Sequence, residues 1–210
     1  MDLPVDPAPR RGSPGRPLSR RRVAAFVAVA PWAWPLAAHA LPSASPPGRA
    51  DFPNVPLVDQ HGSPVRFYDD LVQGDHVVAI HFIYAQCADI CPSTTANLAR
   101  VQPLLGERLG RRVRMASITI DPLHDTPAVL KAYAASFGAR EGWRFLTGKP
   151  RDILLIRRRL GVFDRDPVKD QDKTQHTGML VYGNEARGRW SRVSALADPQ
   201  RIFEGITRWS

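Results

Sequence analysis

Apolar and polar positions alternate along VPLVDQHGSPVRFYD, residues 55–69, around His61-Gly62-Ser63-Pro64, the pattern of a short hairpin. His76 to Tyr84, HVVAIHFIY, is a near-continuous run of β-branched and aromatic residues and predicts a buried central strand. From Pro92 to Leu109, apolar Leu98, Val101, Leu104, Leu105 and Leu109 recur at helical spacing, with a kink expected at Pro103. Arg112 to Ile120, RVRMASITI, predicts a second buried strand ending at Asp121-Pro122. Asp125-Thr126-Pro127 offers a cap and a first-turn proline for a helix to about Phe137, which Gly138 closes. GWRFLTG is a short strand, and Pro150 to Leu160 a helix ended by Gly161. Asp164 to Gln175 is polar, with no predicted structure. HTGMLVYG and GRWSRVS then form a strand pair about a Gly-Asn turn, and Asp198 starts the last helix.

Strand and helix alternate, and a hairpin and helix follow. That order predicts an α/β fold: a thioredoxin-like three-layer sandwich with a mixed central sheet and an N-terminal β-hairpin. The domain runs from 54 to 210. Reactive loops in such sheets follow the carboxyl ends of central strands, which is where Cys87 and Asp121 stand, while His176 comes from the hairpin edge.

Ahead of the domain the pattern changes. Residues 1–22 are rich in Arg and Pro, VAAFVAVAPWAWPLAA (23–38) is apolar, and Ala38-His39-Ala40 follows. A positive start, an apolar centre and an A-x-A exit predict a signal peptide over 1–40, with export to the periplasm. An uncleaved membrane anchor is the competing reading, which Pro31 and Pro35 disfavour. The Pro/Ser-rich stretch 41–53 reads as a linker, leaving the domain membrane-proximal. The formal charge is +9, and six arginines against two aspartates before Val23 carry about +4 of it. The remainder is dispersed, with no basic stripe and interleaved aromatics, which argues against a nucleic-acid partner.

The only two cysteines, Cys87 and Cys91, stand in FIYAQCADICPSTTANL. Pro92 suits a first helical position, so Cys91 is expected to be the cap, its sulfur near helix-start amides that favour a thiolate. The "ADI" between the thiols is then an arch. Such a pair supports a structural disulfide, a redox couple or part of a metal site. A thioredoxin-type couple spaces its thiols by two residues rather than three. Two thiolates and an imidazole suit Cu(I), and mixed sulfur and nitrogen donors also hold Cu(II). A closed zinc site would need further ligands. Among the histidines, His61 and His76 are expected to be solvated, His81 to be a hydrogen-bonded core residue, and His124 to flank the second strand-end loop. His176, where the polar segment meets a strand, is placed to bring in an imidazole. Asp121 and Asp125 are read as loop and cap residues, and as partners that orient a metal ligand.

CADICP, DPLHDTP and a single histidine entering the last strand pair, in that order, resemble the Sco/SenC copper-chaperone family. The preceding DQHGSPVRFYDDLVQGDHVVAIHFIY resembles that family's opening hairpin and first core strand. The resemblance implies copper bound by Cys87, Cys91 and His176. It also implies delivery of copper or reducing equivalents to the binuclear centre of cytochrome c oxidase. The implied partners are the oxidase copper-centre subunit or another copper chaperone. A thiol–disulfide oxidoreductase acting on a partner's cysteines is the alternative, with Cys91 expected to be the more acidic thiol unless access puts Cys87 outermost. Two positions depart from the family pattern. Ala88 replaces a frequent proline, and Gln175 stands where an aspartate usually precedes the histidine, which predicts weaker Cu(II) stabilisation.

Overall fold

The computed structural model describes residues 52–172 and 178–210, all within the second of the chain's two units, Ala44–Ser210. The signal segment, most of the linker, His39, Gln175 and His176 lie outside the described residues.

The predicted hairpin is β1 (Pro56–Asp59) and β2 (Pro64–Arg66), with Leu57 opposite Val65. Its turn is set by Asp59, whose Oδ1 accepts the backbone N–H of His61 and of Ser63, each at 2.9 Å. A π-helical turn, Phe67–Val72, buries Phe67, Leu71 and Val72 before the first long strand. The remaining elements are β3 (Val77–Ile83), α1 (Ile90–Leu105), β4 (Val113–Thr119), α2 (Pro127–Ser136) and β5 (Trp143–Gly148). After them come α3 (Pro150–Leu160), α4 (Pro167–Gln171), β6 (Met179–Asn184), β7 (Arg189–Ser194) and α5 (Pro199–Thr207).

The strands form one mixed sheet in the order β2-β1-β5-β4-β3-β6-β7. β3, β4 and β5 are parallel at its centre, while β1 joins β5, and β6 joins β3, antiparallel. Every side chain of β3 is buried, as its unbroken apolar run requires. Strand alternation divides those side chains between two cores. Val77, Ala79 and Ile83 on one face pack with Leu98, Val101 and Leu105 of α1, Leu130 of α2, and Ile202 and Ile206 of α5. Val78, Ile80 and Phe82 pack on the other face with Phe67, Leu71 and with Ile153, Ile156 and Leu160 of α3. The sheet is thus covered on both sides, and each such buried aliphatic side chain contributes about 2 kcal/mol.

Three expectations need correction. α1 begins at Ile90, with Asp89 as its cap, so Cys91 lies inside the first turn rather than capping it. Pro92 is tolerated there because first-turn N–H groups have no intrahelical acceptor. The segment 164–175 contains α4, which Asp166 caps by accepting from Val168 N–H and which an Arg157–Asp170 ion pair of 2.6 Å holds to α3. The β6–β7 connection is Glu185–Gly188, because Gly183 and Asn184 continue the strand. Inside α1, Pro103 cannot donate to the carbonyl of Ala99; Gln102 Nε2 donates to that oxygen instead, at 3.4 Å.

Candidate functional site

The central parallel strands end side by side, and the loops that follow them meet. Ile120 N–H donates to the Ile83 carbonyl at 2.8 Å, fixing the end of β4 against that of β3. The β3 loop carries Cys87 and then Cys91, both buried and both unbridged thiols. Cys91 N–H points at the Cys87 sulfur, 3.4 Å away, so the first turn of α1 wraps the earlier thiol.

This turn is held from beneath by a directional chain of hydrogen bonds. Trp143 Nε1 donates to Ser117 Oγ at 2.9 Å, Ser117 lies 3.3 Å from His81 Nδ1, and His81 Nε2 lies 3.0 Å from Thr94 Oγ1. Thr94 Oγ1 in turn lies 3.0 Å from the carbonyls of Ile90 and Cys91, to which only its hydroxyl can donate. The pairing assigns the proton of His81 to Nε2. His81 is therefore the hydrogen-bonded core residue expected, and it braces the helix turn that contains Cys91.

The β4 loop holds the cysteine loop from the side. Asp125, only 1% exposed, accepts on Oδ2 from Ala85 N–H at 3.0 Å and from the Thr119 hydroxyl. Thr119 Oγ1 accepts from Asp121 N–H at 2.8 Å, and Asp121 Oδ1 accepts from His124 Nδ1 at 2.9 Å. Asp125 is not the cap of α2; Thr126 is, accepting from Val129 N–H. Asp125 spends its carboxylate on the cysteine loop instead. Its Oδ1 is buried with no hydrogen-bond partner among the described residues.

The two thiols differ electrostatically. Burial pushes Cys87 up, but the backbone amides of Cys91 and Asp89, with the side chains of Cys91 and Tyr84, outweigh it and hold the thiol below its ordinary value. Burial drives Cys91 the other way, to about 12, with the Cys87 sulfur and the charge of Asp125 adding to the rise. Cys87 is thus the more acidic thiol. This reverses the expectation for Cys91, because immersion in the core outweighs its place at a helix start. Tyr84 is the residue the sequence reading passed over. Its bond to Cys87 is the main reason its own phenol rises to about 12, with burial adding to it. An aromatic with a polar tip three positions before a cysteine, at a strand end, was the available signal.

The remaining histidines separate cleanly. His61 is exposed in its turn as expected. His76 is buried rather than solvated, with Nε2 2.8 Å from the Leu71 carbonyl. His124 is largely exposed beside Asp121. His176 lies outside the described residues; Gly178 is buried at φ +56°, and a Cβ on it would stand 2.6 Å from Ile90 Cδ1. The chain after residue 177 therefore returns to the sheet against the residue next to Cys91. No cluster of three metal-ligating side chains occurs among the described residues.

Three comparisons place this arrangement. Residues 50–210 match SCO1/SenC. A Stutzerimonas stutzeri relative whose name refers to copper binding is 30% identical over 116 residues, 55% of this chain and 54% of its own. The match thus spans about half the length of that relative. Bradyrhizobium japonicum ScoI, solved with copper bound, superposes with a TM-score of 0.60 at 28% identity, covering 74% of this chain and 96% of ScoI. BsSco, described as a member of the Sco family of cytochrome c oxidase assembly proteins in which a disulfide switch was identified, shares the fold. It aligns at a TM-score of 0.59 and 23% identity over 73% of this chain and 93% of its own. With the thiol-bearing turn, the strand order and a family match running from the hairpin through the last helix, the chain belongs to the SCO1/SenC family.

Proposed function

We propose that the protein is an exported metallochaperone rather than an enzyme, acting in the periplasm close to the membrane. In this reading it delivers copper to, or helps assemble, the binuclear copper centre of cytochrome c oxidase. Cys87, Cys91 and His176 hold the ion, as Cu(I) or Cu(II). Its partners are the copper-centre subunit of the oxidase or another copper chaperone.

The observation that carries the reading is the pair of unbridged thiols packed around one helix turn, in a chain of this family. Two sulfurs and an imidazole form a soft donor set that suits Cu(I). The depressed Cys87 supplies a thiolate readily, and copper binding would draw the second proton from Cys91. His176 precedes Gly178 by two residues, a reach of at most roughly 7 Å, and Gly178 packs against Ile90. Asp125 and Asp121 orient the surrounding loops without touching the ion. The copper-bound ScoI relative supports the choice of metal.

The test is an anaerobic copper titration of the wild type beside His176→Ala. The wild type is expected to take up one Cu(I) per chain. The variant should fold normally and lose at least the ~10-fold in affinity that even an outer-shell partner commands. Full affinity for both copper states in His176→Ala would remove His176 from the ligand set.

A second reading is favoured by the opposed shifts of the thiols. Thiolate Cys87 attacks a disulfide on a client protein and forms a mixed disulfide. Cys91, giving up its proton, then displaces the client as a dithiol and closes Cys87–Cys91, so two electrons pass to the client. In that chemistry His176→Ala has no effect.

A further inference from the structure

His124 stands outside the ligand set above, and its surroundings give it a use. The tip of the β4 loop turns Leu123 and His124 to solvent, Leu123 at 78% exposure and the His124 side chain at 60%. An exposed imidazole is ordinary, but this one is oriented. Its Nδ1 lies 2.9 Å from Oδ1 of buried Asp121, and a carboxylate oxygen can only accept, so the proton sits on Nδ1. That leaves the Nε2 lone pair as the outward donor. A carboxylate behind an imidazole is the arrangement that fixes the tautomer and ring orientation of histidines that ligate metals.

The loop that carries the imidazole is also tied to the loop that carries the thiols. Asp121 N–H is bonded to Thr119 Oγ1, Thr119 to Asp125, and Asp125 to Ala85 N–H, two residues before Cys87. His124 neighbours Asp125 in the chain, and the charge of Asp125 is felt at Cys91. An outward nitrogen donor is therefore held on the β4 loop, which is bonded to the loop that carries the buried pair.

We propose that His124 is a transfer ligand, through whose Nε2 a copper ion passes between a partner and the thiol pair. The step is ligand exchange: the imidazole lone pair replaces a donor of the delivering molecule, and a cysteine sulfur then replaces the imidazole. Copper keeps its oxidation state, and Nδ1 keeps its proton on Asp121. The neighbouring Leu123 gives a partner an apolar contact beside the donor. This inference rests on the copper reading above, since a protein that carried no copper would need no such group.

The test follows copper(I) transfer from a bicinchoninate complex to the full chain by stopped flow, comparing the wild type with His124→Asn. Asparagine still offers an N–H to Asp121 but is a poor copper ligand. Transfer is expected to slow about tenfold, with the final stoichiometry and the thermal midpoint unchanged. A wild-type rate in the variant overturns the proposal, and so does a slower rate accompanied by a lower thermal midpoint, which would make His124 structural. A wild type that takes up no copper is a failure of the functional reading instead. The inference is then decided by a second measurement that does not need the thiols. In a Cys87→Ser, Cys91→Ser chain, substoichiometric Cu(II) should broaden the imidazole NMR signals of His124 before those of exposed His61. Simultaneous or later broadening at His124 overturns it.

Discussion

Asp125→Ala removes the side chain on which the cysteine loop leans. Oδ2 accepts two hydrogen bonds, from Ala85 N–H and the Thr119 hydroxyl, in a site where Asp125 is 1% exposed. Hydrogen bonds to a charged group contribute about 1.5–3 kcal/mol each, and deletion leaves both donors facing an apolar methyl. Two offsets reduce the sum. Water can reach part-buried Ala85, and Oδ1, buried without a partner among the described residues, no longer has to be desolvated. The net loss is about 3 kcal/mol. For a domain of this size that lowers the thermal midpoint by about 6–12 °C. The local signature is faster hydrogen exchange at Ala85, with the amides of β3 unaffected until global unfolding. Removing the charge should also lower the Cys91 thiol from about 12, since Asp125 is among the causes of its rise. Asp125→Asn, which keeps one acceptor, should cost about 1 kcal/mol. Calorimetry and exchange together check these outcomes. An unchanged midpoint and unchanged protection at Ala85 would show that the loop does not depend on this carboxylate.

Gly178→Ala should displace the chain that follows residue 177, because the new methyl meets Ile90 and the backbone there is left-handed. Weaker copper affinity with a modestly lowered thermal midpoint is expected, and wild-type affinity would detach Gly178 from the site. His76 gives a pH dependence. Burial lowers its folded-state pKa, the Leu71 carbonyl opposes the shift, Arg114 adds to it, and Asp75 opposes it. Between that value and the unfolded 6.5 the unfolded chain binds more protons, so stability is fully present above pH 6.5 and falls as the pH drops through the folded value. Denaturant titrations of wild type and His76→Gln at pH 7.5 and 5 check this, with the smaller acid loss expected in the variant. Arg157→Ala should cost about 3 kcal/mol by leaving mostly buried Asp170 without its cation, measurable by urea denaturation. A negligible loss would show that α4 does not depend on this pair.

The centre of the sheet was legible because its strands there are buried on both faces. HVVAIHFIY and RVRMASITI can satisfy that environment and little else, and β3 and β4 occupy nearly the predicted spans. Helices with proline at their start and glycine past their end, such as α3, were equally readable. What failed was local and depended on tertiary partners. The proline rule placed the start of α1 two residues late, because a first-turn proline is permitted at more than one position. α4 is too short for periodicity to reveal, and its anchor is an ion pair to α3. His76 looked like a strand-start surface residue until the Phe67–Val72 turn folded over it and offered the Leu71 carbonyl. At the site, the cysteines and the DPLHDTP loop could be named from sequence, but the order of thiol acidity could not. That order follows from how deeply the first turn of α1 is buried, a property of the packed core rather than of C-x-x-x-C spacing.

The central claim is that the two thiols hold copper. X-ray absorption at the copper edge of the Cu(I)-loaded full chain tests it most directly, because it counts donor types around the metal. The account predicts two sulfur scatterers and one imidazole nitrogen in the wild type, with both sulfurs lost in Cys87→Ser, Cys91→Ser. A first shell of nitrogen and oxygen alone, in wild-type protein that has taken up copper, would contradict it.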